Sequence, residues 1–110
     1  MKQTAIRFNN YARAAGRRGT NEYHEWRVFV DEPAEILDQI DEVEYVLHPT
    51  FPQPYQVRRN RQDKFALETA GWGEFKLLIT VKFKDGRQER AKYSLSLDTE
   101  QKPWPTEATA

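Results

Sequence analysis

Between Glu74 and Lys84, Phe75, Leu77, Ile79, Val81 and Phe83 occupy every second position, opposite Glu74, Lys76, Thr80 and Lys82. A helix would spread those five apolar residues around its circumference, whereas a strand sends successive side chains to opposite faces and gathers them on one. The stretch is therefore a strand with one face buried. Lys84-Asp85-Gly86-Arg87 follows as a two-residue hairpin signal, because Asp-Gly tolerates the positive φ values of such turns. It leads into a second strand with Ala91, Tyr93, Leu95 and Leu97 inward and Lys92, Ser94 and Ser96 outward.

The same period recurs upstream. Tyr23 to Val30 sets Trp26, Val28 and Val30 against Glu25, Arg27 and Phe29, and Glu42 to His48 puts Val43, Tyr45 and Leu47 inward. Shorter strands are expected over Thr4–Asn9, with Ile6 and Phe8 on one face, over Tyr55–Arg58, and over Asp63–Glu68. Ala12 to Thr20 breaks the alternation and carries Arg13, Arg17 and Arg18 together with Gly16 and Gly19, which predicts a basic loop. From Asp31 to Gln39, Pro33 followed by Ile36, Leu37 and Ile40 predicts a short helical turn closing a sheet. About seven or eight short strands at regular spacing with almost no helix make this an all-β antiparallel sandwich. The expected organisation is one domain: an N-terminal strand and basic loop within residues 1–20, the sandwich over 4–97, and a Pro- and Thr-rich flexible tail over 98–110.

Seventeen basic residues balance seventeen acidic ones, so no global field draws the protein to nucleic acid or anionic lipid. The run Arg58-Arg59-Asn60-Arg61 is a solvated loop on this reading, and no nucleic-acid partner is expected. Cysteine is absent, which removes disulfides and thiolate chemistry. Two histidines far apart, His24 and His48, offer no metal-ligand spacing, and neither metal nor cofactor is expected. The first residues include no apolar signal region, and no apolar run approaches the ~20 residues of a membrane helix. The expectation is a cytoplasmic protein without direct membrane insertion. Enzyme chemistry finds little purchase: the serines, Ser94 and Ser96, lie on a strand, and a Thr50 nucleophile with His48 as base lacks a neighbouring carboxylate to orient the imidazole.

Two stretches stand apart from this framework. In Leu47-His48-Pro49-Thr50-Phe51-Pro52-Gln53-Pro54 the prolines end strand pairing and stiffen the loop that presents Phe51. In Ala70-Gly71-Trp72-Gly73-Glu74-Phe75 the glycines on either side of Trp72 free its backbone N–H to meet a ligand. Together they read as two sides of one slot.

With His24-Glu25-Trp26 ahead of them, these motifs resemble the YEATS domain, and the Trp-Gly-Glu-Phe form looks like its prokaryotic branch. The resemblance runs from about Tyr23 to Leu97 in matching order. It implies an immunoglobulin-like sandwich and, from the eukaryotic members, a reader of acylated lysine in which the residues matching His48, Thr50, Phe51, Gly71 and Trp72 form the site. Glu22 stands where eukaryotic readers have a further cage aromatic, and Tyr23 beside it is the substitute; Gly73 completes the glycine pair.

An acylated lysine is a neutral flat amide on an apolar stem. Phe51 and Trp72 can sandwich the amide, at about 0.5–1.5 kcal/mol beyond area burial. Thr50 can accept from the amide N–H while the Trp72 backbone N–H donates to the carbonyl. Plain lysine would lose the hydration of its ammonium, and flat unsaturated acyl groups are expected to stack better than acetyl. The implied partner is an acylated protein or peptide. The alternative is an immunoglobulin-like protein–protein interaction domain of a signalling or membrane-associated system, in which His48 and the rings only pack the loops.

Overall fold

The computed structural model describes residues 6–19, 21–71 and 73–105. Among these, seven strands form: β1 (Phe8–Arg18), β2 (Asn21–Val30), β3 (Ile40–Val46), β4 (Tyr55–Arg58), β5 (Leu67–Gly71), β6 (Lys76–Phe83) and β7 (Gln88–Ser94). They divide into a three-stranded sheet ordered β1-β2-β5 and a four-stranded sheet ordered β4-β3-β6-β7, antiparallel throughout. This is an immunoglobulin-like β-sandwich. The alternating positions meet in its middle, with Trp26, Val28 and Val30 of β2 facing Val43 and Tyr45 of β3 and Leu77, Ile79 and Val81 of β6, all buried. Each such side chain contributes about 1.5–3 kcal/mol relative to exposure.

Several local expectations are corrected. The stretch from Ala12 to Arg18 is not a basic loop but the outer half of β1, which runs antiparallel to β2 as far as the Arg18–Asn21 pair. An extra residue between Ala14 and Gly16 makes a bulge there, and Gly16 at φ 107° supplies the backbone angle it needs. The arginines are matched across the hairpin, Arg13 to Glu25 at 2.7 Å and Arg17 to Glu22 at 3.8 Å. The expected beginning of this strand at Thr4 lies outside the described residues.

The strand expected over Asp63–Glu68 starts later, at Leu67, because Lys64 and Phe65 take left-handed φ of 62° and 58° after a 3-10 turn, Arg61–Asp63. The Phe65 N–H reaches the Asn60 carbonyl at 2.9 Å and its own carbonyl takes the Tyr45 hydroxyl at 2.6 Å, which holds this costly conformation in place. The basic run is ion-paired, Arg59 to Glu42 at 2.9 Å and Arg61 to Asp38 at 2.6 Å. The β6–β7 connection has four residues, Lys84 to Arg87, rather than two: Phe83 donates to the Arg87 carbonyl at 2.9 Å, and Gly86 turns the chain at φ 95°. A short helix, α1 (Ala34–Leu37), follows Pro33 as expected.

Residues 98–105, expected as a flexible tail, lie against β1. Ala12 donates to the Lys102 carbonyl at 2.8 Å, Pro103 bridges Ala12, and the Trp104 ring sits 4.1 Å from the Arg13 guanidinium and 6.5 Å from the Tyr11 ring. Residues 106–110 are outside the described part. No helix among the described residues is long and apolar enough to cross a membrane.

Candidate functional site

The β3–β4 connection is built by its prolines. Leu47 donates to the Pro54 carbonyl at 2.7 Å, closing the base of the loop, and Phe51 donates to the His48 carbonyl at 3.0 Å across a turn with Pro49 at its second position. That turn brings Thr50 back onto His48. The Thr50 backbone N–H donates to His48 Nδ1 at 3.2 Å, and the Thr50 hydroxyl lies 2.9 Å from the same nitrogen. A nitrogen that receives a backbone N–H is an acceptor, so the neutral ring carries its proton on Nε2. The hydroxyl hydrogen then points at His48, and the Thr50 oxygen keeps its lone pairs for another donor.

Phe51 leans inward from this turn. Its ring meets Trp26 edge-on at 6.4 Å and Phe75 at 5.4 Å, while Phe75 meets Trp26 at 5.9 Å and the His48 ring at 6.1 Å. From the opposite sheet, β5 ends at Gly71, paired with His24 of β2. Between the two lies an open cavity of about 310 Å³ lined by Tyr23, His48, Thr50, Phe51, Gly71 and Phe75, with Pro52, Ala70, Gly73 and Glu74 at its remaining sides. Side chains some fifty residues apart in sequence thus converge on one concave, partly aromatic surface, the form a small-ligand site takes.

The sequence model of the prokaryotic YEATS domain matches residues 24–96, well over half of the chain. This chain belongs to the prokaryotic YEATS domain family. The Protein AF-9 homolog of Kluyveromyces lactis is 38% identical over 69 residues, which cover 61% of this chain and 30% of that protein. The chain spans about three tenths of the length of the AF-9 homologs it matches. Among solved structures, the Yaf9 YEATS domain recognizing an H3K122suc peptide superposes with a TM-score of 0.68 at 26% identity, covering 91% of this chain and 80% of that one. The Yaf9 YEATS domain bound to H3K27ac gives 0.67 at 26% identity, covering 88% and 78%.

Of the residues singled out in the sequence, Tyr23, His48, Thr50, Phe51, Gly71 and Gly73 all line the cavity of this YEATS domain. Trp72 lies outside the described residues. Gly71 does not have a positive φ, and the Trp72 N–H that the glycine pair was expected to free lies outside the described residues. At Gly71 the requirement is room, since a Cβ there would come 3.3 Å from Phe51 Cζ. His24 sits on β2 as expected, but its Nδ1 is buried without a partner among the described residues, as is Trp26 Nε1.

Sequence reasoning overlooked Phe75 as a wall of the YEATS cavity because its place in the alternating run marked it as core. It is both, packing on Trp26 while facing the space above. Glu74 also lines the cavity; it is exposed, and its Oε2 accepts the Leu97 N–H at 2.8 Å. Among the described residues, no three His, Cys, Asp or Glu side chains come together as a metal site would require.

Proposed function

We propose that this YEATS domain is a non-enzymatic module that binds an acylated lysine of a partner protein in the cavity between Phe51 and the end of β5. The observation that carries the reading is the Thr50 oxygen, left as an acceptor by His48 at the edge of a cavity walled by Phe51, Phe75 and Tyr23. The acyl amide N–H donates to that oxygen. Trp72 contributes the second face and its backbone N–H binds the acyl carbonyl. Support comes from the Yaf9 domains, which take acetylated and succinylated H3 peptides. Plain lysine is disfavoured because its ammonium loses hydration against the rings, and an exposed Glu74 already occupied by Leu97 N–H offers a screened, weak counter-charge.

The packing of Phe51 on Trp26 and Phe75 favours a second reading, in which the rings only anchor the loops of a protein–protein interaction domain. Calorimetric titration separates them. A crotonyl-lysine or acetyl-lysine peptide should saturate the protein and its unmodified counterpart should not. Phe51→Ala, Thr50→Ala and Trp72→Ala should each weaken binding about tenfold or more. Equal response to modified and plain peptides sinks the reader assignment.

A further inference from the structure

The outer face of the four-stranded sheet carries an uncovered apolar row. Three large hydrophobic residues are exposed among those described, Val46 at 38%, Tyr55 at 56% and Leu78 at 48%. The strand registers put all three in one line, for Val46 pairs with Tyr55 on one side and Leu78 on the other, and Leu78 pairs with Lys92 of β7. Directly paired residues share a face, so the apolar row crosses three strands, about 10 Å at ~4.8 Å per strand, and Lys92 continues the line onto the fourth. The other sheet treats its outer rings differently. There Trp104 folds over Tyr11, which packs on Phe29.

Charge on this face is equally uneven. Lys82 is held between Glu42 and Glu44, at 3.4 Å and 2.6 Å. Lys76, Arg90 and Lys92 are exposed on the same face beside Leu78, and no carboxylate pairs with any of them among the described residues. Lys92 stands about 7–8 Å from each of the other two, with Lys76 and Arg90 about twice as far apart, so the repulsion that an anion would relieve centres on Lys92.

We propose that this face docks a short acidic segment of a partner protein that presents two or three apolar side chains to the Tyr55–Val46–Leu78 row and its carboxylates to Lys76, Arg90 and Lys92. A second copy of this chain is the poorer occupant, because a stable dimer buries about 800 Å² on each partner and the row is far smaller. The surface lies outside the cavity, and its role is independent of acyl-lysine binding.

The test uses the full chain labelled with 15N and a synthetic peptide alternating glutamate and leucine, with a lysine–leucine peptide as its opposite. At low salt the acidic peptide should shift the amides of Val46, Tyr55, Leu78 and Lys92 and leave Thr50 and Gly71 in place. Tyr55→Ser with Leu78→Ser should weaken binding about tenfold. Replacing Lys76, Arg90 and Lys92 with glutamate should reverse the preference toward the lysine–leucine peptide, with retained amide dispersion showing that the variant is folded. The proposal is overturned by no shifts up to about 1 mM acidic peptide, by equal response to both peptides, or by shifts confined to other surfaces. Concentration-dependent dimerisation abolished by Leu78→Ser also overturns it, in favour of a second copy.

Discussion

A methyl group at position 71 would stand 3.3 Å from Phe51 Cζ and 3.8 Å from its Cε2. The ring has little space to retreat, with Trp26 edge-on at 6.4 Å and Phe75 at 5.4 Å. We expect Gly71→Ala to lower affinity for an acetyl-lysine peptide about tenfold while changing unfolding free energy by less than about 1 kcal/mol, readable by calorimetry and urea melts. Tyr45 makes a different demand. Its buried hydroxyl donates to the Phe65 carbonyl at 2.6 Å, and burial pushes its ionisation well above the ordinary tyrosine range. An unfolded tyrosine ionises near pH ~10, so the folded protein keeps a proton that the unfolded chain sheds above that pH. This stabilisation is complete below pH ~10 and is lost as pH rises beyond it. Tyr45→Phe should cost about 1–2 kcal/mol at neutral pH and make stability decline less steeply above pH ~10. Parallel declines in urea melts of the two proteins would remove Tyr45 as the cause.

Among the elements, the segment over β1 is held by few contacts that act together. Ala12 N–H reaches the Lys102 carbonyl at 2.8 Å, the Lys102 ammonium donates to Asn9 at 2.8 Å, and Trp104 lies against Arg13 and, at 5.3 Å, Arg27. Trp104→Ala should release it, speeding exchange of the Ala12 amide by about tenfold or more and lowering the melting temperature by several degrees. Unchanged exchange at Ala12 would show that the backbone bonds suffice. None of this was legible in the sequence, where a tryptophan between two prolines has no period to reveal its partner. The β6 strand was plain because its five inward residues repeat every second position. The outer half of β1 was hidden because its arginines and alanines carry no apolar alternation. Their meaning lies in Glu22 and Glu25 on the strand opposite. Likewise, the late start of β5 depends on two left-handed residues, Lys64 and Phe65, whose types do not announce that conformation.

Taken as a whole, the molecule places its candidate site where local motifs and long-range geometry meet. The loop that turns on Pro49 was readable from its prolines, and so was the family likeness of the Gly71–Phe75 stretch. The clearance between Gly71 and Phe51 was not, being a distance between residues twenty apart whose strands belong to different sheets. His48, Thr50 and Phe51 hang from the four-stranded sheet, while Tyr23, Ala70 and Gly71 belong to the three-stranded one. A guest in the cavity is therefore a rivet through both leaves of the sandwich. At a hundredfold excess over Kd it should add about 2.7 kcal/mol against unfolding, and because it touches both leaves at once, amides should be shielded on either side of the seam rather than at one loop alone.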